Sequence, residues 1–364
     1  MKKIKPDQAH NSLPLLPPDY SFNSEHINKQ LIKTHKALAE LKGYARNLPN
    51  ISILLNLILL QEAKDSSEIE NIITSHDDLY RAISIKDYKA TPQAKEVLKY
   101  RQALYTGYEM IKDKQMITNN MIIKIQEIIE DNSAGFRKLP GTVLKRANND
   151  EILFTPPDNV DDIIRLMKNY EAFLNDDTDE IDPLIKLAIQ HYQFEAIHPF
   201  YDGNGRTGRV INMLYLVLKG ILNEPFLYLS SFIIKNKSEY YRLLRNVTYN
   251  NTWDDWIIFI LAGIEETALN TLDISYKIID SIEKSIDMMK ANYPKIYSRE
   301  LVELLYSNMY TKISDLVNNG IASRNIASQY LKQLEPTILT SEKVGREILF
   351  VNKEIRKLLS TNLK

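Results

Sequence analysis

The densest chemistry in the 364 residues is EAIHPFYDGNGRTGR, at 195–209. Glycines at 203, 205 and 208 and arginines at 206 and 209 open an apolar run with helical spacing, RTGRVINMLYLVLKG. A glycine-rich turn that starts a helix offers free N–H groups and the positive end of the helix dipole, and both attract phosphate oxygens. Arg206 and Arg209 add forked donors suited to phosphate, and Asp202 is a hard oxygen ligand of the kind Mg²⁺ prefers beside a nucleotide. His198, at the end of the preceding helical run, carries an imidazole that near neutral pH can take a proton from a hydroxyl. These parts describe nucleotide binding beside a general base.

Other readings of the loop fail on context. GNGRTG satisfies G-x-G-x-x-G, but that dinucleotide fingerprint follows a strand and belongs to a βαβ unit, whereas PLIKLAIQHYQFEAI upstream has helical spacing. A Walker loop would need Gly-Lys-Ser/Thr, which is absent. His191, Glu195 and His198 could mimic a metal triad, yet HExxH is missing and Asp202 accounts for the loop better.

The elements that must position this loop read as mainly α. Apolar periodicity predicts helices at about 25–42, 50–73, 76–84, 92–112, 118–131, 160–175, 183–197, 206–219, 237–249 and 253–289, with Pro92 and Pro183 where a first turn tolerates proline. Residues 141–157, GTVLKRANNDEILFTPP, read as two short β runs about the turn-forming Asn148-Asn149-Asp150, an exposed hairpin inserted into the helical body. After Asn292-Tyr293-Pro294 the order helix (SRELVELLYS), helix (TKISDLVNN), helix (SRNIASQYLKQLE) and two β runs (TILT, EILFV) resembles a winged helix. Three parts are expected: a helical region at 1–91, a catalytic domain at 92–290 and a winged-helix-like α+β module at 291–364. From 295 to 364 there are 11 Lys+Arg against 7 Asp+Glu, and the third helix carries few cations (Arg324, Lys332), so DNA binding and a role in dimerisation or protein contact both stay open.

Composition bounds the rest. With 46 Lys+Arg against 47 Asp+Glu, no global field marks a nucleic-acid or membrane binder. The absence of cysteine excludes disulfides, thiolate metal sites and a cysteine nucleophile, and makes the cytoplasm the expected location. ISILLNLILL at 51–60 is half the roughly 20 residues a spanning helix needs, and the first twenty residues lack the apolar core of a signal peptide, so no membrane partner is expected.

HPFYDGNGRTGR at 198–209 resembles, with no position missing, the Fic-domain signature His-Pro-Phe-x-Asp/Glu-Gly-Asn-Gly-Arg-x-x-Arg. The likeness extends through LIKLAIQHYQFEAIHPF, YLVLKG, PFLYLS, Tyr240-Tyr241 and WDDWIIFIL, and to a flap-like hairpin after GFR at 135–137. The resemblance implies a helical core that moves AMP from ATP onto a Ser, Thr or Tyr hydroxyl of a protein and releases pyrophosphate. It makes His198 the base, Phe200 the anchor of the loop and Asp202 the Mg²⁺ ligand. Gly203, Asn204 and Gly205 become the anion hole, Arg206 and Arg209 hold the outer phosphates, Thr207 and Gly208 complete the helix start, and Tyr240 lines the adenine pocket. The flap would pair with an extended protein substrate through its main chain.

DSSEIENIITS, from Asp65, is similar to the family's inhibitory motif Ser/Thr-x-x-x-Glu-Gly/Asn, here Ser66, Glu70 and Asn71. That likeness implies a self-inhibited enzyme in which Glu70 pairs with Arg209. Self-modification, a homodimer and removal of AMP are compatible with it. Two alternatives carry through: a nucleotide-sensing, DNA-binding regulator, and a transferase moving another phosphate-containing group.

Overall fold

The computed structural model describes residues 5–45, 51–145, 150–307 and 309–362. Helices dominate. α1 (Glu25–Ala45), α2 (Ile51–Ile69) and α3 (His76–Ser84) lead into α4 (Pro92–Lys114) and α5 (Asn119–Glu130). A hairpin of β1 (Leu144–Lys145) and β2 (Ile152–Phe154) precedes α6 (Val160–Asn175), α7 (Pro183–Ile197) and α8 (Asn204–Leu218). α9 (Ser230–Lys235), α10 (Lys237–Asn250) and the long α11 (Trp253–Asn292) close the body.

Local chemistry sets the helix starts. Thr91 accepts from Ala94 N ahead of Pro92, and Asp182 accepts from Leu184 N ahead of Pro183; each supplies one acceptor to a first turn that has none of its own. α7 and α8 are buried on nearly every face, so their polar side chains, Gln190 and Asn212 among them, are buried along with the apolar ones. α4, α5 and α7 pack around α8, Trp256 Nε1 of α11 donates to Ala188 O of α7 (2.7 Å), and α1 runs along α11, with Thr34 Oγ1 donating to Leu261 O (3.0 Å). The asparagine- and proline-rich segment before α1 is tied down as well: His10 N donates to Thr155 O (3.0 Å) and Gln193 Nε2 to Pro14 O (2.8 Å).

α2 stops at Ile69, short of the expected 73. Asn71 takes the left-handed conformation (φ 63°), Ile72 N bonds Ser67 O (3.0 Å) and Asn71 N bonds Glu68 O (2.9 Å), the paired bonds of a Schellman cap. Glycine and asparagine are the residues that enter this conformation cheaply, so either of them at position 71 can end the helix in this way.

The hairpin pairs Leu144 with Phe154 and Lys145 with Ile152, and the expected turn residues Asn148 and Asn149 lie outside the described residues. It is not free on both sides. The outward carbonyls of Leu153 and Thr155 are taken by Tyr249 Oη (2.8 Å) and His10 N (3.0 Å), and Phe154 is buried.

The C-terminal module comprises α12 (Arg299–Ser307), β3 (Tyr310–Thr311), α13 (Ile313–Asn318), α14 (Arg324–Leu334), β4 (Leu339–Val344), β5 (Glu347–Asn352) and α15 (Lys353–Asn362), with an antiparallel sheet in the order β3-β5-β4. β3 takes Thr311, which the sequence pattern assigns to the following helix, together with Tyr310 before it. The module rests on α3, where Arg81 Nη2 meets Glu342 Oε1 (3.1 Å) and Tyr310 Oη donates to Asp77 Oδ1 (3.2 Å), and on α11, where Tyr306 Oη donates to Ser281 O (2.9 Å). Among the described residues, no helix is long and apolar enough to cross a membrane.

Candidate active site

α7 ends where His198 takes the left-handed conformation (φ 50°), its N–H on Phe194 O (2.9 Å), and this turn swings the chain into the signature loop. Non-glycine residues rarely hold such backbone angles without support. The support is Arg137, fully buried just ahead of the hairpin. It donates from Nε to His198 O (2.8 Å) and from Nη2 to Ile197 O (3.2 Å) and Pro157 O, while its N–H reaches Pro199 O (2.8 Å). Phe200 is wholly buried against Phe136 and Phe194. Asn204 closes the loop from within, accepting from Phe200 N and donating to Phe200 O, both at 2.9 Å. Its side chain therefore braces the turn, and its N–H remains with those of the helix start.

Gly203 (φ 75°) is the N-cap of α8 and gives no side-chain cap, so the amides of the first turn have no intrahelical acceptor. Asp202 is exposed at the mouth of this turn, with Oδ1 accepting from Gly203 N (2.7 Å). Arg209 sits one turn along, buried. Its Nε donates to Ser66 Oγ (2.8 Å) and its Nη2 to Ser66 O (2.8 Å) and Glu70 Oε1 (3.0 Å). A Cβ at Gly205 would collide with Glu70 Oε1, so the Glu70 carboxylate lies directly over the turn. Arg206 is held differently, by Glu130 Oε1 (2.6 Å) and Glu96 Oε2 (3.3 Å). Thr207 is buried, and Gly208 faces α7, where a Cβ would be crowded by Phe194 and Glu195 at 3.0 Å.

Burial, reinforced by the charge of Arg137, holds His198 at a pKa of about 4, so its imidazole is neutral. Burial also pushes Glu195 up to about 7 against the pull of Arg209. The buried polar atoms without partners here include Glu195 Oε1, His198 Nδ1, Arg206 Nε and Thr207 Oγ1. Unpartnered polar atoms on a loop and the helix ends that flank it suit a polar ligand.

α2 is anchored beside the loop by another buried carboxyl. Glu62 accepts from Tyr100 Oη (3.0 Å), Ser230 N (3.0 Å) and Ser230 Oγ (2.5 Å), and burial raises it to about 7.

The expected residues thus gather in one place: His198, Asp202, Gly203, Asn204, Gly205, Arg206, Thr207 and Arg209, with Ser66 and Glu70 set against them. Asn71 contributes the turn rather than a contact with Arg209. Tyr240 is buried behind the loop with its hydroxyl on His191 Nε2 (2.8 Å), which commits that histidine, while the adjoining Tyr241 is 37% exposed. Arg137, Glu96, Glu130 and Glu62 carry no signal in the local pattern beyond GFR at 135–137, because their partners lie far along the chain.

Residues 28–109 match the Fic/DOC family N-terminal region, residues 116–216 the Fic/DOC family itself, and residues 282–355 the C-terminal domain of SoFic-like protein adenylyltransferases. The chain is 30% identical over 206 residues to a probable protein adenylyltransferase of Aquifex aeolicus, spanning 52% of this chain and 55% of that one. It is 36% identical over 83 residues to protein adenylyltransferase fic-1 of Caenorhabditis elegans, only 15% of that protein. The chain therefore spans about half, or less, of the length of these relatives. Among solved structures, a Fic family protein from Desulfovibrio desulfuricans shares the fold with a TM-score of 0.60 at 16% identity, over 92% of this chain and 98% of that one. Fic-1 of C. elegans shares it with a TM-score of 0.53 at 19% identity, over 69% and 74%.

Proposed function

The chain belongs to the Fic/DOC family, and from that premise we propose that it is a self-inhibited protein adenylyltransferase, moving AMP from ATP onto a Ser, Thr or Tyr hydroxyl of a protein. The observation that carries this reading is a complete phosphate cradle at the start of α8 whose Arg209 is occupied by Glu70.

In the proposed reaction the target hydroxyl oxygen attacks the α-phosphorus. The bond from that phosphorus to the bridging oxygen breaks, pyrophosphate leaves, and the hydroxyl proton passes to neutral His198. The first-turn amides at Asn204 and Gly205 take the charge of the phosphates, joined by the Gly203 amide when Asp202 turns from it to a metal, with Arg206 and Arg209 on the outer ones and Thr207 and Gly208 shaping the helix start. Such chemistry asks for positioning and charge neutralisation more than for covalent help. Asp202 is suited to hold Mg²⁺, since it is an exposed carboxylate beside the cradle with only one oxygen bonded; the ion would neutralise phosphate charge there. Tyr240, seated beneath Tyr241, is read as the floor of the adenine side.

The protein substrate is read as docking along the flap by main-chain bonds. With the outward carbonyls of β2 occupied, the β1 edge is the one offered. The protein itself can be such a substrate.

The test is mass spectrometry of a lysate, and of the protein alone, after incubation with ATP and Mg²⁺. AMP adducts on Ser, Thr or Tyr support the proposal. Phosphate adducts, or salt-sensitive duplex binding with no adduct, would favour the transferase or regulator alternatives.

A further inference from the structure

We propose that Glu130 is a positioning residue that aims Arg206 at the phosphates, an inference that rests on the nucleotide-binding reading above. Glu130 is the last residue of α5, 76 positions before Arg206 in the chain. Its side chain is 13% exposed and that of Arg206 6%, so their 2.6 Å ion pair is largely out of water, where a charge-assisted bond is strong and directional. Glu96 of α4 meets the other terminal nitrogen at 3.3 Å but is 41% exposed, and water competes for it.

Two further contacts show that the end of α5 is fitted to the loop. Gln126, one turn before Glu130, donates to Asp202 O (3.2 Å). A Cβ at Gly203 would come within 2.5 Å of Glu130 Oε1, so the carboxylate closes against the N-cap of α8 where only glycine leaves room. The guanidinium is gripped by its two terminal nitrogens, while Nε is buried without a partner. A long flexible side chain is thereby fixed in advance, with a donor left over for a ligand. Glu70 on Arg209 is a different arrangement: that carboxylate lies over Gly205 and is itself the obstacle.

The experiment measures ATP and AMP binding by calorimetry in the Glu70→Gly protein, alone and combined with Glu130→Ala, Glu130→Gln, Arg206→Ala and Glu130→Ala/Arg206→Ala. Glu130→Ala should weaken ATP about tenfold while AMP, which lacks the outer phosphates, changes by about twofold or less. Glu130→Gln, which keeps the shape and one acceptor, should retain most of the ATP affinity. The double variant should bind ATP no more weakly than Arg206→Ala, because the two residues act as a unit. The inference is overturned by tighter ATP binding in Glu130→Ala, by equal losses for ATP and AMP, or by additive losses in the double variant. A Glu70→Gly protein that prefers ATP over AMP and is indifferent to Glu130→Ala and Glu130→Gln overturns this inference alone. A Glu70→Gly protein that binds no nucleotide overturns the functional reading with it.

Discussion

Glu70 Oε1 stands 3.0 Å from Arg209 Nη2, and Ser66, one turn earlier, engages Nε and Nη2 of the same guanidinium through its hydroxyl and its carbonyl. The left-handed turn at Asn71 ends α2 immediately after Glu70, so the carboxylate projects from a helix terminus fixed by its own backbone bonds. With Nε and Nη2 engaged and a carboxylate over Gly205, the arginine has fewer donors for a phosphate and an anion already beside it.

Glu70→Gly should raise the rate of AMP attachment by roughly tenfold to a hundredfold, since it frees Arg209 and removes negative charge from above Gly205. Transfer of labelled AMP by wild type and variant measures the effect, with removal of AMP from a modified target followed in parallel. Equal attachment rates would return residues 66–71 to an ordinary helix end.

In the Glu70→Gly background, His198→Ala should abolish transfer and leave ATP binding largely intact. The pH profile is a second readout. A depressed histidine pKa keeps the base neutral to lower pH, so the acid limb of kcat/KM should lie nearer 4 than the 6.5 of a free imidazole. The charge of Glu70 opposes that depression, so its loss moves the limb further down. A limb at 6.5 governed by His198 would contradict the desolvated, neutral imidazole.

Asp202→Ala should remove Mg²⁺-dependent turnover while the loop keeps its fold, because the side chain is exposed and the turn is braced by Asn204 and Arg137. Turnover titrated against Mg²⁺ decides it. Normal dependence on Mg²⁺ in the variant would place the ligand elsewhere.

Glu62 gives a pH dependence of stability whose sign can be stated. Its folded pKa of about 7 lies above the unfolded value near 4.5, so its stabilising contribution is complete below pH 4.5 and is lost as pH rises through 7. Between pH 5 and pH 8 wild type should lose roughly 1–3 kcal/mol relative to Glu62→Gln, in which an amide oxygen can still accept from Tyr100 and Ser230. Thermal unfolding of both proteins across that range checks it. Parallel curves would mean that Glu62 titrates as an exposed acid does.

Much of the molecule follows from local rules. Helix periodicity with Thr91, Thr118, Asn159 and Asp182 as caps locates α4 to α7, since a cap and its amide lie two or three residues apart. α9 and β3 escape such reading because six and two residues hold fewer than two periods of their pattern, too few for a repeat to show. The winged-helix-like order was legible as a succession of elements, whereas its seating on α3 through Arg81 and Glu342 was not, because those residues are 261 apart.

The candidate site divides along the same line. The cradle, His198 and Asp202 are contiguous, so amino-acid types and spacing alone determine a turn that opens a helix with bare amides and flanking charge. The facing of Ser66 and Glu70 toward Arg209 was suggested by a second motif, but it exists only because α2 packs beside α8. What tertiary structure alone decided is the state of each group: which carboxylate holds which arginine, that Arg137 supports the strained His198, and that His198 is neutral. Ion pairing and desolvation depend on distances and burial between segments far apart in the chain, and no local pattern contains them.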